Sequence, residues 1–165
     1  MPGSERSRLE GADRTSATGR RLPSTAEENH CMKEEFMELA VQEARKGIKK
    51  RHGGPFGCVI VMNGKVIAKA HNRVLKNKDS TCHGEVEAIR KACKKIKSYN
   101  LSDAELYTTA EPCPMCLGAI LWANIKTVYY GCSIKDTESI GFRDNVFYDA
   151  FYKKNDLLSQ EEVGR

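Results

Sequence analysis

ELYTTAEPCPMCLGAILWANIKTVYYGC, residues 105–132, is the stretch on which the fold turns. Glu105 to Thr109 is short, aromatic and β-branched, and reads as a strand. Cys113 to Ala123 is apolar and long enough for a helix, and Thr127 to Cys132 reads as a second strand. Two strands joined through a helix pair in parallel, with the helix crossing one face of the sheet.

Working back toward the N-terminus, a helix is expected at about 83–97, with Val86, Ile89, Cys93 and Ile96 as its buried stripe. A polar loop from Arg73 to Thr81 precedes it. Before that, Cys58 to Met62 and Lys65 to Ala70 flank Asn63-Gly64, the signature of a hairpin closed by a type I′ turn. Gly53-Gly54-Pro55-Phe56-Gly57 breaks a further helix, expected from Met32 to Lys50 with Met37, Ala40, Val41, Ala44 and Ile48 at helical spacing. Beyond residue 132, Val146 to Tyr152 suits a helix and 153–165 is polar, with no fifth strand. Trp122 and Tyr130 read as core. The pattern predicts a layered α/β domain over 31–165, a mixed sheet flanked by helices.

Residues 1–30 are rich in Ser, Gly, Arg, Thr and Glu without apolar periodicity, and are expected to be a disordered extension. Met32, where patterning begins, is a candidate natural start. Residues 1–30 carry five Lys/Arg and five Asp/Glu, so the net charge of +5 falls on the rest. No apolar run resembles a secretory core or a membrane span, and an acid-containing head argues against a transit peptide. Seven cysteines, an odd number without an export signal, are expected as cytosolic thiols, some of them metal ligands. Lys91, Lys94, Lys95 and Lys97 on one helix, and Lys49, Lys50 and Arg51 ending another, read as solvated faces, with a preference for anionic substrates left open.

The chemistry lies in His83-Gly84-Glu85 and Pro112-Cys113-Pro114-Met115-Cys116. Cysteines spaced i, i+3 on a first helical turn aim two sulfurs at one point, and the helix dipole favours their thiolates. One imidazole, His83, completes three protein ligands and leaves a tetrahedral position for water, the catalytic zinc arrangement. Residues two apart on a helix face different ways, so His83 binds metal while Glu85 addresses water and substrate. A lone Cys-x-x-Cys also serves as a redox pair or as half of a structural zinc knuckle, for which Cys82 is the one nearby fourth ligand. The His-x-Glu element favours the catalytic reading.

His-x-Glu followed by Pro-Cys-x-x-Cys is the signature of zinc deaminases. From about Phe36 to Phe147 the chain resembles the cytidine deaminase superfamily, and within it the bacterial guanine deaminases. The segments that carry the likeness are 53–57, 88–93, 111–120 and 140–144. The resemblance implies a three-layer α/β/α fold, a bound Zn2+, a small-molecule purine substrate, a cytoplasmic location and a homodimer. By similarity Asn72 hydrogen-bonds the purine, Phe56 packs on the base and Asp144 handles a ring proton. Taken alone, these three read as a strand-end turn residue, a core aromatic and a surface acid. Glu111 reads as structural. The implied reaction replaces an amino group by an oxo group and releases ammonia; with guanine the product is xanthine. Deamination of adenosine in tRNA is the runner-up, then deamination of cytosine, and a non-catalytic zinc scaffold is the reading from another class. The chain departs from the family after Asp144, where family members continue into another strand and an aromatic tail that closes the pocket.

Overall fold

The computed structural model describes residues 26–153, with side chains from 33 to 152. Its elements run α1 (Ala26–Lys49), β1 (Gly57–Met62), β2 (Lys65–His71), α2 (Val74–Asn77), α3 (Gly84–Ile96), β3 (Ala104–Ala110), α4 (Pro114–Trp122), β4 (Thr127–Cys132), α5 (Ile134–Ser139) and α6 (Asp144–Lys153).

The sheet order is β2-β1-β3-β4. β1 pairs antiparallel with β2 and β3, and β3 pairs parallel with β4. Asn63 and Gly64 take φ of 51° and 69°, the paired positive angles of the expected hairpin turn. Side-chain alternation then divides the core into two layers. Cys58, Ile60, Leu106, Ala88, Ala92 and Ile120 form one cluster on the face of α3 and α4. Val59, Val61 and Tyr107 meet Ala40 on the opposite face, where Phe36, Met37 and Leu39 of α1 also pack. Helices therefore cover both faces of a mixed sheet, as expected. Gly57 lets β1 touch α1: a Cβ there would stand 2.0 Å from the Ala40 carbonyl oxygen.

Several details differ from the sequence reading. α1 begins at Ala26, earlier than the expected Met32; residues 1–25 and 154–165, with the expectations placed on them, lie outside the described residues. The 73–81 loop contains the single turn α2. α5 was not anticipated, although Ser133 and Asp136 form a reciprocal capping box at its start. In α3 the most deeply buried apolar residues are Ala88 and Ala92, with Ile89, Cys93 and Ile96 packed around them. Ile48 is half exposed.

Trp122 and Tyr130 are not core residues: they are 86% and 51% exposed. α4 is apolar on every side, so periodicity does not reveal its inner face, which is formed by Cys116 and Ile120. Trp122 ends that helix, and Tyr130 sits near the end of edge strand β4. Among the described residues no helix is long and apolar enough to cross a membrane.

Candidate active site

Two helix starts meet at the α3/α4 face of the sheet. His83 is the N-cap of α3 and Cys113 the N-cap of α4, both with extended backbone, and Pro114 occupies the first turn after Cys113. Cys116 follows one turn inside α4 and is fully buried.

One ligand atom from each of His83, Cys113 and Cys116 lies within 4.8 Å of the others. His83 Nδ1 and Cys113 Sγ are 3.6 Å apart. A nitrogen and a sulfur on tetrahedral zinc, at ~2.1 and ~2.3 Å, would stand ~3.6 Å apart. The donor set and its spacing therefore fit zinc, and they fit three protein ligands better than a closed structural site. Cys82, the other thiol considered, is engaged elsewhere: Asn77 Nδ2 donates to its sulfur at 3.3 Å, and the thiol donates to Asp79 Oδ2 at 3.3 Å.

The electrostatics favour thiolate at this point. Cys113 is lowered to about 4 because the Cys116 thiol and His83 hydrogen-bond to its sulfur, against the opposing effect of burial. Cys116 is pushed far up by donating that bond, by burial and by the neighbouring Glu85 carboxylate. His83 is raised by its bond to Cys113, which outweighs its own burial.

Glu85 is buried one step from this group. The Thr108 hydroxyl donates to Glu85 Oε1 at 2.9 Å, and Cys116 Sγ lies 3.5 Å from Glu85 Oε2. Burial pushes the Glu85 carboxyl up, opposed by hydrogen bonds from its own backbone and from Thr108. Thr108 is absent from the sequence-derived site. It lies in the row that Ala104 and Leu106 begin, a buried hydroxyl extending an apolar face of β3, and that misfit was the available signal.

Of the remaining sequence-derived residues, Asp144 is coupled electrostatically to Cys113 and His83, and Phe56 and Asn72 are tied to each other. Phe56 precedes β1, and its ring meets Phe142 edge-on, with centroids 4.6 Å apart. Phe142 lies in the 140–144 segment but was assigned no role. Asn72 is buried, and its side-chain oxygen accepts from Val74 N–H at 3.1 Å, which is the turn role it has without a ligand. Its backbone N–H also donates to the Phe56 carbonyl at 2.9 Å, tying the two residues together. Asp144 opens α6, where burial and the Cys113 thiolate raise its carboxyl and His83 opposes them. The Tyr148 hydroxyl, also unforeseen, donates to the Pro112 carbonyl at 2.7 Å and fastens α6 to the cysteine turn. Glu111 accepts from Ile134 N–H at 3.0 Å at the start of α5, in keeping with a structural role.

Residues 31–132 match the cytidine and deoxycytidylate deaminase zinc-binding region, and the chain belongs to that family. It is thus a zinc-dependent hydrolytic deaminase. Within the family it is 50% identical to guanine deaminase of Bacillus subtilis over 115 residues, 70% of this chain and 74% of that protein. It is 46% identical to a tRNA-specific adenosine deaminase of Agrobacterium fabrum over 96 residues, covering 58% and 62% of the two chains. The X-ray structure of the Bacillus subtilis guanine deaminase superposes with a TM-score of 0.77 at 44% identity, covering 80% of this chain and 85% of that one.

Proposed function

We propose that the chain hydrolyses the exocyclic amino group of a purine base, guanine before others, to give xanthine and ammonia. The observation that carries this reading is the Glu85 carboxylate, buried and aimed by Thr108 beside three convergent metal ligands. A purely structural metal site has no use for it. His83, Cys113 and Cys116 hold the ion, which when bound supplies a Lewis acid able to bring the pKa of water to ~7.

The protein's own groups do the rest. Water adds to the amino-bearing ring carbon, the carbon–nitrogen bond breaks, and the oxo-purine and ammonia depart. Glu85 takes the proton from the attacking water and returns it to the leaving nitrogen, and its raised pKa suits a group that must do both. Asn72, its carboxamide fixed by the Val74 turn, hydrogen-bonds the edge of the base. Phe56, braced by Phe142, packs on the ring, and Asp144 handles a ring proton. A buried site that pairs with ring edges rejects bases that leave its polar groups unmatched. The likeness to the Bacillus subtilis guanine deaminase supports guanine as the substrate.

The likeness to tRNA-specific adenosine deaminases keeps adenosine in RNA as the second reading. Side-by-side ammonia release from guanine, an adenosine-containing RNA hairpin and cytosine, with zinc content measured on the same sample, ranks them. Turnover of the hairpin without turnover of guanine overturns the first reading. We place the protein in the cytoplasm as a homodimer. α4 packs on α6, and Trp122, Leu121, Phe151 and Tyr152 stand largely in solvent, apolar surface that a second copy would cover.

A further inference from the structure

On the outer side of strand β2, away from the metal ligands in sequence, a cavity of about 420 Å³ gathers positive charge from four elements. Lys46 comes from α1 and Lys50 from the turn just after it. Lys69 belongs to β2, Arg73 and Lys76 to the strand end and α2, and Lys91 to α3. Six cations thus face a single carboxylate, Glu43, in a chain whose whole formal excess is +5. Two lysine groups that read as solvated faces in the sequence each send one member here, Lys50 and Lys91.

Little within the cavity answers that charge. Glu43 is committed: its oxygens accept from Lys46 Nζ at 3.1 Å and bond His71 Nδ1 at 2.9 Å. Among the described residues Lys46 is the only one of the six cations in an ion pair. Lys91 donates to the Lys69 backbone carbonyl at 2.8 Å, which fixes its ammonium at the rim without neutralising it. Arg73 Nε is buried without a hydrogen-bond partner, a donor left without an acceptor inside the protein. The second nitrogen of His71 bonds His52 Nδ1 at 2.9 Å, so a chain runs Glu43–His71–His52 to the cavity wall. Burial, then Lys76, His71, Arg73 and Lys50, lower His52, as expected in a field of uncompensated positive charge.

We propose that this cavity is a second ligand site, which binds a small polyphosphate anion either free or as the diphosphate tail of a nucleotide. The chemistry follows from the donors. Ammonium groups approaching from several sides and the Arg73 guanidinium in the cavity wall suit clustered phosphoryl oxygens, and charge-assisted bonds of this kind are the strong ones. The volume falls at the small end of the ~300–1,000 Å³ range of ligand pockets, so it suits a compact anion and not an extended strand. The site is independent of the deamination reading, because none of its lining residues is a metal ligand and its occupancy is measured by binding alone. Its lining adjoins in sequence the residues proposed to hold the purine: His71 and Arg73 flank Asn72, and His52 precedes the 53–56 segment that leads to Phe56.

Isothermal titration of the full-length zinc-loaded protein with pyrophosphate, orthophosphate, adenosine diphosphate and guanosine diphosphate, at one fixed ionic strength, tests this. Pyrophosphate is expected to bind stoichiometrically and more tightly than orthophosphate. Equal affinity for both nucleoside diphosphates and pyrophosphate identifies the free anion as sufficient, and tighter nucleotide binding identifies the tail of a nucleotide; either supports the site. Lys50→Ala combined with Lys76→Ala removes two exposed lysines and is expected to weaken pyrophosphate by about tenfold or more. Lys94→Ala, an exposed lysine of α3 that does not line the cavity, is expected to change nothing. No pyrophosphate binding above the ionic-strength background, or equal binding by the double variant, overturns the proposal. So does capture of a single-stranded RNA oligonucleotide, lost in the double variant, without any binding of the small anions.

Discussion

Thr108→Val replaces one hydroxyl by a methyl of nearly the same size, in a buried position, and isolates what aims the Glu85 carboxylate. The bond removed is the 2.9 Å donation to Glu85 Oε1. Hydrogen bonds to charged groups contribute ~1.5–3 kcal/mol. At 1.36 kcal/mol per factor of ten, kcat falls by roughly 10- to 150-fold if the whole bond serves the transition state. The upper figure is a ceiling, because Glu85 retains the hydrogen bond of its own backbone. KM is expected to hold, since Thr108 touches neither Asn72 nor Phe56 in sequence or hydrogen bonding, and zinc should stay stoichiometric, since no metal ligand is altered. The assay is steady-state ammonia release with metal analysis and a thermal melt on the same preparation. Unchanged kcat in a folded, zinc-replete variant would falsify the assignment of Thr108 as the residue that positions Glu85. Loss of zinc instead would make Thr108 a support of the metal site.

Glu85→Gln is expected to keep zinc and lose turnover, whereas Cys113→Ala loses both; metal analysis beside an activity assay separates the two, and an active Glu85→Gln removes the proton-shuttle role. Gly53→Ala would place a Cβ 2.0 Å from Asn72 Oδ1, so KM for the purine should rise with zinc content intact, and an unchanged KM would detach Asn72 from the base. Gly57→Ala sets a Cβ against the backbone of α1, which cannot yield as a side chain can; overpacking should cost about 1–3 kcal/mol or more, read as a lower urea midpoint. Burial pushes Glu43 up, but its bonds with His71 and Lys46 prevail and hold it below the ordinary carboxylate range. A depressed folded pKa stabilises above the unfolded value and loses that contribution as pH falls through the folded one. The stability gap between the parent and Glu43→Gln should therefore be widest near neutral pH and close in acid below about pH 4; a gap that is flat with pH refutes the pairing.

The metal group and the hairpin were legible because each rests on local chemistry. Asn63-Gly64 names its own turn, and i, i+3 thiols must converge wherever a helix starts at Cys113. What failed did so for tertiary reasons. Trp122 reads as core and yet is exposed, because α4 is apolar throughout and only the partner surfaces decide which side of such a helix is inside. Ala88 and Ala92 carry little weight in an apolar pattern, yet their small side chains let α3 lie close on the sheet. Thr108 and Phe142 acquire their roles from neighbours 23 and 86 positions away in sequence, Glu85 and Phe56, and no spacing rule connects such pairs. The charged cavity was invisible for the same cause, since its lysines come from four elements that only the fold assembles.

The pairing of β1 with β3, in which Cys58 stands opposite Thr108, has a consequence for assembly of the chain. A slip by one residue would turn the threonine toward α1 and carry the cysteine turn ~3.3 Å along the strand, out of reach of the imidazole. Binding of the ion would therefore favour the native strand alignment, because a misaligned sheet would lack the complete set of donors.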